Sequence, residues 1–442
     1  MKIHHKEFEE RRHKLLAQLA PNSMAILFSA PEILRNGDTH YAYRQDSDFY
    51  YLTGFSEAQA VAVFIKEETQ SHYFLFNLPR DKAKEIWTGH RAGQEGAIAT
   101  YGAQQAFSIE TIDEKLPELM ANKQELYYTI GLNAQNDARV MSWLNSVRAK
   151  VRSGVQAPAK ITTLQRLISE MRLIKSEMEI TWMQKAIDIS IAAHMRAMTV
   201  CKPGMRENQI EAELAHEFGC QGARFCAYPS IVAAGVNACI LHYTDNNMPL
   251  KDGELLLIDA GAEFECYAAD ITRTFPINGQ FTTAQRDIYQ LVLDAQLAGI
   301  RVIKAGVFWD KIQETMIRVL TEGLVNLGLL KGLVDDLIEQ KSYRQFYMHN
   351  SGHWLGMDVH DVGDYKITEQ QDTAQWRPLV AGMTITVEPG LYIPPHSDNV
   401  DKKWWGIGVR IEDDVLVTAE GCDVLSQALP KTVSDIEALM RG

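Results

Sequence analysis

The apolar positions of the first 172 residues fall into short extended blocks: MAILF at 24–28, AVAVFI at 60–65 and YFLF at 73–76. Blocks of that length read as strands. Amphipathic stretches such as DEKLPELMANK at 113–123 lie between and after them, and the polar opening MKIHHKEFEERRHKLLAQLA has helical spacing. This alternation predicts an α/β domain over residues 1–172. VRSGVQAPAKI at 151–161, with Ser153, Gly154 and Pro158, reads as a linker, followed by a helix from about Thr162.

From Lys175 the texture changes. SEMEITWMQKAIDISIAAHMRAMTV is one long helical pattern that ends at Lys202-Pro203-Gly204, and a second helix is expected from Glu207. Extended segments follow, ELLLIDAG and ADITRTFP among them, and helices return from about Thr282 to Leu330. VCKPGMRENQIEAEL at 200–214 aligns with VIKAGVFWDKIQETM at 302–316, matching Val200 to Val302, Lys202 to Lys304, Gly204 to Gly306 and Ile210 to Ile312, an offset of 102. Two helices followed by strands, twice over, predict an α+β domain over 173–442 built by duplication, with a site at the pseudo-two-fold seam.

The totals narrow the class. A chain of 442 residues exceeds one ordinary core and suits two or three domains. A formal charge of −13 disfavours nucleic acid and anionic membrane as partners. No run of about 18 apolar residues occurs, so no membrane span is expected, and the polar opening lacks the apolar core of a secretory signal. The six cysteines, Cys201, Cys220, Cys226, Cys239, Cys266 and Cys422, show no CxxC spacing and read as buried free thiols of a reducing cytoplasm.

Candidate chemistry gathers in the second domain. Asp259 ends the apolar run ELLLI, where a carboxylate is costly to bury unless it is paired or binds a cation. Gly261 turns the chain, and Ala269-Asp270-Ile271-Thr272 reads as the return strand, with Thr272 able to orient a ligand. MHNSGHWLGMDVHDVG holds His349, His353 and His360; Gly352 and Gly356 argue against a regular helix there. Glu388 stands directly before Pro389-Gly390, which fixes it at a strand end, and Arg410 and Glu412 share one face at a period of two. His242, 17 residues before Asp259, could stabilise a developing oxyanion. Taken singly, each has a plainer reading: a solvated turn aspartate, a core histidine, an exposed Arg–Glu pair. Glu263 and Glu265 read as exposed, and Asp413 and Asp414 as solvated. Together Asp259, Asp270, His353, Glu388 and Glu412 form a hard, oxygen-rich set suited to one or two divalent cations such as Mn²⁺, Co²⁺ or Zn²⁺, and so to a hydrolase.

These segments, with NGDTHYAYRQDSDFYYLTGF at 36–55, LHYTDNN and TVEPGLYI, resemble the pita-bread metallo-aminopeptidases along essentially the whole chain, and among them the aminopeptidase P (Xaa-Pro aminopeptidase) family. The resemblance implies two divalent ions, usually Mn²⁺, on Asp259, Asp270, His353, Glu388 and Glu412. It implies a metal-bridging hydroxide that attacks the carbonyl before proline in Xaa-Pro-Yaa peptides, with Glu388 carrying the proton to the leaving nitrogen. By the same resemblance His242 and His360 hold the peptide or its tetrahedral intermediate, and His349 lies in the proline-side pocket. Tyr392 and Arg410 lie beside the ligands, and Trp87 of KEIWTGHR is offered from a neighbouring subunit of a homo-oligomer, dimer or tetramer. An Xaa-Pro bond is a tertiary amide without N–H, so carbonyl polarisation by metal suits it, and the trans isomer is the expected substrate. Prolidase shares all five ligands and is the alternative. Creatinase-like enzymes lack the metal, methionine aminopeptidase needs no added N-terminal domain, and peptide- or histone-binding modules of this fold have lost ligands.

Overall fold

The computed structural model describes residues 2–368 and 374–442. It divides into two compact units, Met1–Arg172 and Leu173–Gly442.

In the first unit a six-stranded mixed sheet runs in the order Gln105–Ser108, Ser71–Asn77, Val61–Lys66, Ser23–Phe28, Glu125–Tyr127, Lys160–Thr162. The three apolar blocks form its antiparallel centre, and the outer strands add in parallel. The central strands read as unbroken apolar runs because both faces are covered, so nearly every position is buried. The segment expected as a linker is part of this sheet. After a short 3-10 turn at Val151–Ser153, Lys160–Thr162 pairs with Glu125–Tyr127, so local Ser/Gly/Pro composition was overridden by an available sheet edge. The following helix is Gln165–Leu173, starting after that strand rather than at Thr162.

The second unit is an α+β pita-bread fold in which the sequence repeat is visible as geometry. Helix Glu177–Val200 starts at a capping box in which Ser176 and Glu179 satisfy each other's backbone N–H groups. It and helix Thr283–Val302 each end in a turn carrying a left-handed glycine, Gly204 at φ +90° and Gly306 at φ +86°. Gly204 N donates to Leu250 O and Gly306 N to Leu379 O, both at 2.9 Å. Leu250 N donates back to Met205 O, and Leu379 N to Val307 O. Arg206–Pro249 and Phe308–Pro378 are matching antiparallel bridges at the start of the second helix of each half, Glu207–Cys220 and Trp309–Asn326. Each half then contributes a three-stranded sheet: Ile231–Ala234, Leu255–Asp259 and Thr272–Pro276 in one, Thr384–Val387, Asp413–Val417 and Cys422–Val424 in the other. Their apolar faces and the four helices share one core, with Leu256, Ile258, Phe275, Ile385, Val387 and Val415 fully buried.

Asp413 and Asp414 are not solvated; both side chains are fully buried on strand Asp413–Val417. Asp413 accepts from Arg273 Nη2 (2.7 Å), Lys431 Nζ (2.6 Å), Ser426 Oγ (2.7 Å) and Gln296 Nε2 (2.8 Å). Burial opposes its ionisation, but Arg273 and Lys431 outweigh it and hold the carboxyl well below the usual range. Asp414 accepts the Asp270 N–H at 3.1 Å, and burial pushes its carboxyl well up. An acidic pair after a strand-like run gave no hint of these distant partners. The six cysteines are free, but only Cys201 is buried, and Cys220 and Cys226 are exposed.

Candidate metal centre

The inner ends of the strands converge on a cavity of about 1290 Å³ lined by Asp259, Asp270, His353, Glu388 and Glu412, together with His242, His349, His360 and Arg410. Asp259 is the last residue of its strand, paired opposite Thr272. The return strand begins at Thr272 rather than Ala269, because a small second hairpin, Ala262–Phe264 with Tyr267–Ala268, is inserted between the two aspartates. Ala260 N still donates to Ile271 O at 3.1 Å, which brings Asp270 back beside Asp259.

Residues 351–355 run in extended form along strand Thr384–Val387: Leu355 N donates to Thr384 O, Thr386 N to His353 O and Glu388 N to Ser351 O. Gly352 is required there, since a Cβ would lie 2.2 Å from Thr386 O. This pairing places the His353 ring over the acids. Its Nδ1–H donates to Trp354 O at 2.9 Å, leaving Nε2 facing Asp270 Oδ2 (3.3 Å) and Glu388 Oε1 (3.7 Å). Glu388 extends from the end of its strand into the same space. Glu412 follows strand Ile407–Arg410 and accepts the Thr272 hydroxyl at 2.6 Å, while Arg273 Nη1 holds its backbone carbonyl at 2.7 Å. Ligand atoms of Asp270, His353 and Glu412 all lie within 4.8 Å of one another.

Arg410 and Glu412 do share a face, and it is the inner one, with exposures of 4% and 2%, which removes the exposed-pair reading. Arg410 donates to Asp259 Oδ2 (2.6 Å), Tyr392 Oη (3.1 Å) and Thr272 Oγ1 (3.2 Å). Tyr392, fully buried behind the cavity wall, accepts from Arg410 and donates to His349 Nε2 at 2.8 Å; His349 Nδ1–H donates to Asn350 O at 2.7 Å. Burial lowers the His349 pKa to about 4, so the ring is neutral. The ring of His360 stands edge-on to that of His353, with centroids 4.3 Å apart. Trp87 belongs to the first unit, on helix Lys82–Thr88, where it is 88% exposed beside Ile86 at 83%.

Tyr228 was not found from sequence. Its hydroxyl lies 2.6 Å from both Asp259 Oδ1 and Asp270 Oδ1. It holds one proton, so it can donate to only one of the two carboxylates. A tyrosine in CAYPS carries no ligand signal; only the approach of residues 227–228 to Gly261, through Ala227 N to Gly261 O, puts it there.

The donor set fits divalent metal. Four carboxylates and an imidazole face one another, with Arg410 the one cationic side chain bonded to them among the described residues. Burial and mutual repulsion raise Asp270 and push Glu412 well up; burial lifts Glu388 to about 7. For His353, burial opposes the charge, but Asp270 and Glu388 overcome it and raise the ring to about 9. Cations bound among them would relieve that repulsion. A pH dependence follows. Without metal, Glu388 and His353 bind protons more tightly folded than unfolded, so folding is favoured at low pH. That contribution is lost progressively between 4.5 and about 7 for Glu388, and between 6.5 and about 9 for His353. Metal binds the deprotonated ligands. The melting-temperature gap between Mn²⁺-loaded and chelator-treated protein is therefore expected to widen from pH 5 to pH 8; a gap that narrows would refute the assignment of these groups.

A duplicated α+β fold that buries a carboxylate–imidazole cage in an open cavity defines a metallopeptidase of the pita-bread class. The family model for metallopeptidase family M24 matches residues 181–419, and that for the aminopeptidase P N-terminal domain matches residues 8–128. The chain belongs to metallopeptidase family M24. It is 45% identical to the Xaa-Pro aminopeptidase of Escherichia coli (strain K12), covering 99% of this chain and 98% of that protein. It is 35% identical to Xaa-Pro aminopeptidase 3 of Homo sapiens, covering 98% and 85%. Among solved structures it is similar to aminopeptidase PepP of Pseudomonas aeruginosa (52% identity, TM-score 0.97, 99% and 98% covered). It is also similar to a zinc-substituted Escherichia coli aminopeptidase P in complex with product (45% identity, TM-score 0.95, 99% and 98% covered).

Proposed function

We propose that the protein is a Xaa-Pro aminopeptidase that releases the first residue from peptides with proline in second place. The observation that carries this is the cavity in which the acid cage lies beside His349, a neutral ring pinned by Tyr392 and thus able to form the wall of an apolar slot for a pyrrolidine. Full-length similarity to Xaa-Pro aminopeptidases supports it over prolidase.

Asp259, Asp270, His353, Glu388 and Glu412 are the proposed metal ligands, and Mn²⁺ the proposed ion, because the set is hard and oxygen-rich. Bound divalent metal supplies Lewis-acid polarisation of the scissile carbonyl and lowers the pKa of water. The chain's own groups do the rest. Arg410 and Tyr228 orient Asp259, and Thr272 orients Glu412. Glu388, within 3.7 Å of His353 Nε2 in the cage, takes a proton from the attacking water and delivers it to the departing proline nitrogen. Burial lowers His360, which keeps it largely neutral with an N–H to offer; with His242 it donates to the oxygen that gains charge.

Xaa-Pro-Yaa should be cleaved by Mn²⁺-loaded protein and more slowly with Co²⁺ or Zn²⁺; cleavage of Xaa-Pro dipeptide alone would mean prolidase. His360→Ala is expected to slow turnover by about 10²–10³-fold with both metals retained; metal loss in that variant would make His360 a ligand instead. A homo-oligomer is also proposed, supported by the exposed Ile86 and Trp87, with Trp87 reaching substrate in a neighbouring copy. A monomeric mass by light scattering would overturn this. A cytoplasmic setting is supported by six free cysteines, and no described helix is long and apolar enough to cross a membrane.

A further inference from the structure

The first unit holds a second cavity, of about 510 Å³, enclosed by the N-terminal helix Lys2–Gln18 and the segment around Tyr101 and Gln104. Its lining includes two buried polar groups, Tyr73 and Arg12. Tyr73, only 3% exposed, stacks on Phe64 with centroids 5.3 Å apart, and its hydroxyl is buried with no hydrogen-bond partner. The guanidinium of Arg12, 6% exposed, lies over the Tyr73 ring, 4.6 Å from its centroid, with Nη1 donating to Leu52 O at 3.0 Å. Burial lowers the Arg12 pKa, partly offset by Tyr73 and then by Glu9, the one acid among the described residues lining this cavity; His5 and His13 stand at its rim.

Gln104 shows how fully the neighbouring polar groups are otherwise matched. Its Oε1 accepts the Tyr73 N–H at 2.8 Å and its Nε2 donates to Ser71 O at 3.3 Å. Against that background a buried hydroxyl left unpaired beside an arginine is costly, and native folds seldom leave such a group unmatched. The guanidinium can only donate and the hydroxyl has a proton to donate, so one acceptor would serve both, and a guanidinium selects a planar or tetrahedral oxyanion.

We propose that this cavity binds a small oxyanion, a carboxylate or a phosphate, received by the Tyr73 hydroxyl and the Arg12 guanidinium, with His5 and His13 closing the rim. The site lies wholly in the N-terminal unit and shares no lining residue with the metal cavity.

Calorimetric titration of the full-length metal-loaded protein with inorganic phosphate, and separately with acetate, tests it. Both ions also reach the metal cavity, so the readout is the difference between wild type and Tyr73→Phe, which removes one oxygen atom far from the ligands in sequence and in the other unit. The expected result is a one-to-one component for at least one ion that weakens about tenfold in Tyr73→Phe and disappears in Arg12→Gln. Which ion shows it identifies the source as a phosphate or a carboxylate compound. Without either ion, Tyr73→Phe should melt no lower than wild type, since it loses no existing hydrogen bond. Identical titrations of wild type and a normally folded Tyr73→Phe would overturn the proposal, even if Arg12→Gln failed to fold.

Discussion

Alanine at Glu388 is expected to remove Xaa-Pro-Yaa hydrolysis by on the order of 10⁴-fold or more. Glu388 reaches the cage from the end of strand Thr384–Val387, and its backbone N–H is fixed by Ser351 O. On the proposed mechanism two functions leave with it: a ligating carboxylate, and the group that moves a proton from water to the proline nitrogen. Asp270→Ala is expected to be equally inactive for a different reason. Asp270 faces His353 Nε2 and the Tyr228 hydroxyl, and it belongs to the tightest cluster of ligand atoms, with His353 and Glu412. Its loss should lower metal content as well as turnover. Elemental analysis beside a single-turnover assay separates the two. Appreciable cleavage by Glu388→Ala at full metal occupancy would remove that residue from proton transfer.

Asp413→Ala carries the largest expected cost in stability. Arg273 and Lys431 both point at this carboxylate, and Arg273 is fully buried. Breaking a buried pair leaves an uncompensated charge, typically at a cost of about 3–5 kcal/mol. Arg273 keeps neutral acceptors at Pro430 O, Leu429 O, Thr272 O and Glu412 O, which places the loss toward the lower part of that range. The consequence reaches the cage, because the same guanidinium holds the Glu412 carbonyl. Thermal melts of wild type and Asp413→Ala, each with and without Mn²⁺, should show a lower midpoint and a weaker metal-induced rise in the variant. An unchanged midpoint would mean that water replaces the carboxylate and that the network is not structural.

Much of this molecule was legible before its coordinates. The apolar blocks at 24–28, 60–65 and 73–76 became the central strands of the first sheet, because continuous apolar runs have nowhere to go but a doubly covered sheet. The repeat at Gly204 and Gly306 was legible because a left-handed turn between two helices demands the same residue twice. The four acids and one histidine that the fold brings to one cavity could be picked out because a carboxylate at the end of an apolar strand needs a reason to be there.

What the chain alone determined, then, was local: which segments are strands or helices, where they turn, and which side chains are chemically expensive at their positions. What only the tertiary structure decided was pairing at long range. The recruitment of residues 160–162 to a sheet edge, the burial of Asp413 against Arg273 and Lys431, and the placement of Tyr228 between two aspartates 31 and 42 residues away all depend on partners that no sequence window contains. Hydrophobic periodicity is set by a residue's own neighbours. Electrostatic satisfaction of a buried group is set by whatever the finished fold brings within about 3 Å of it.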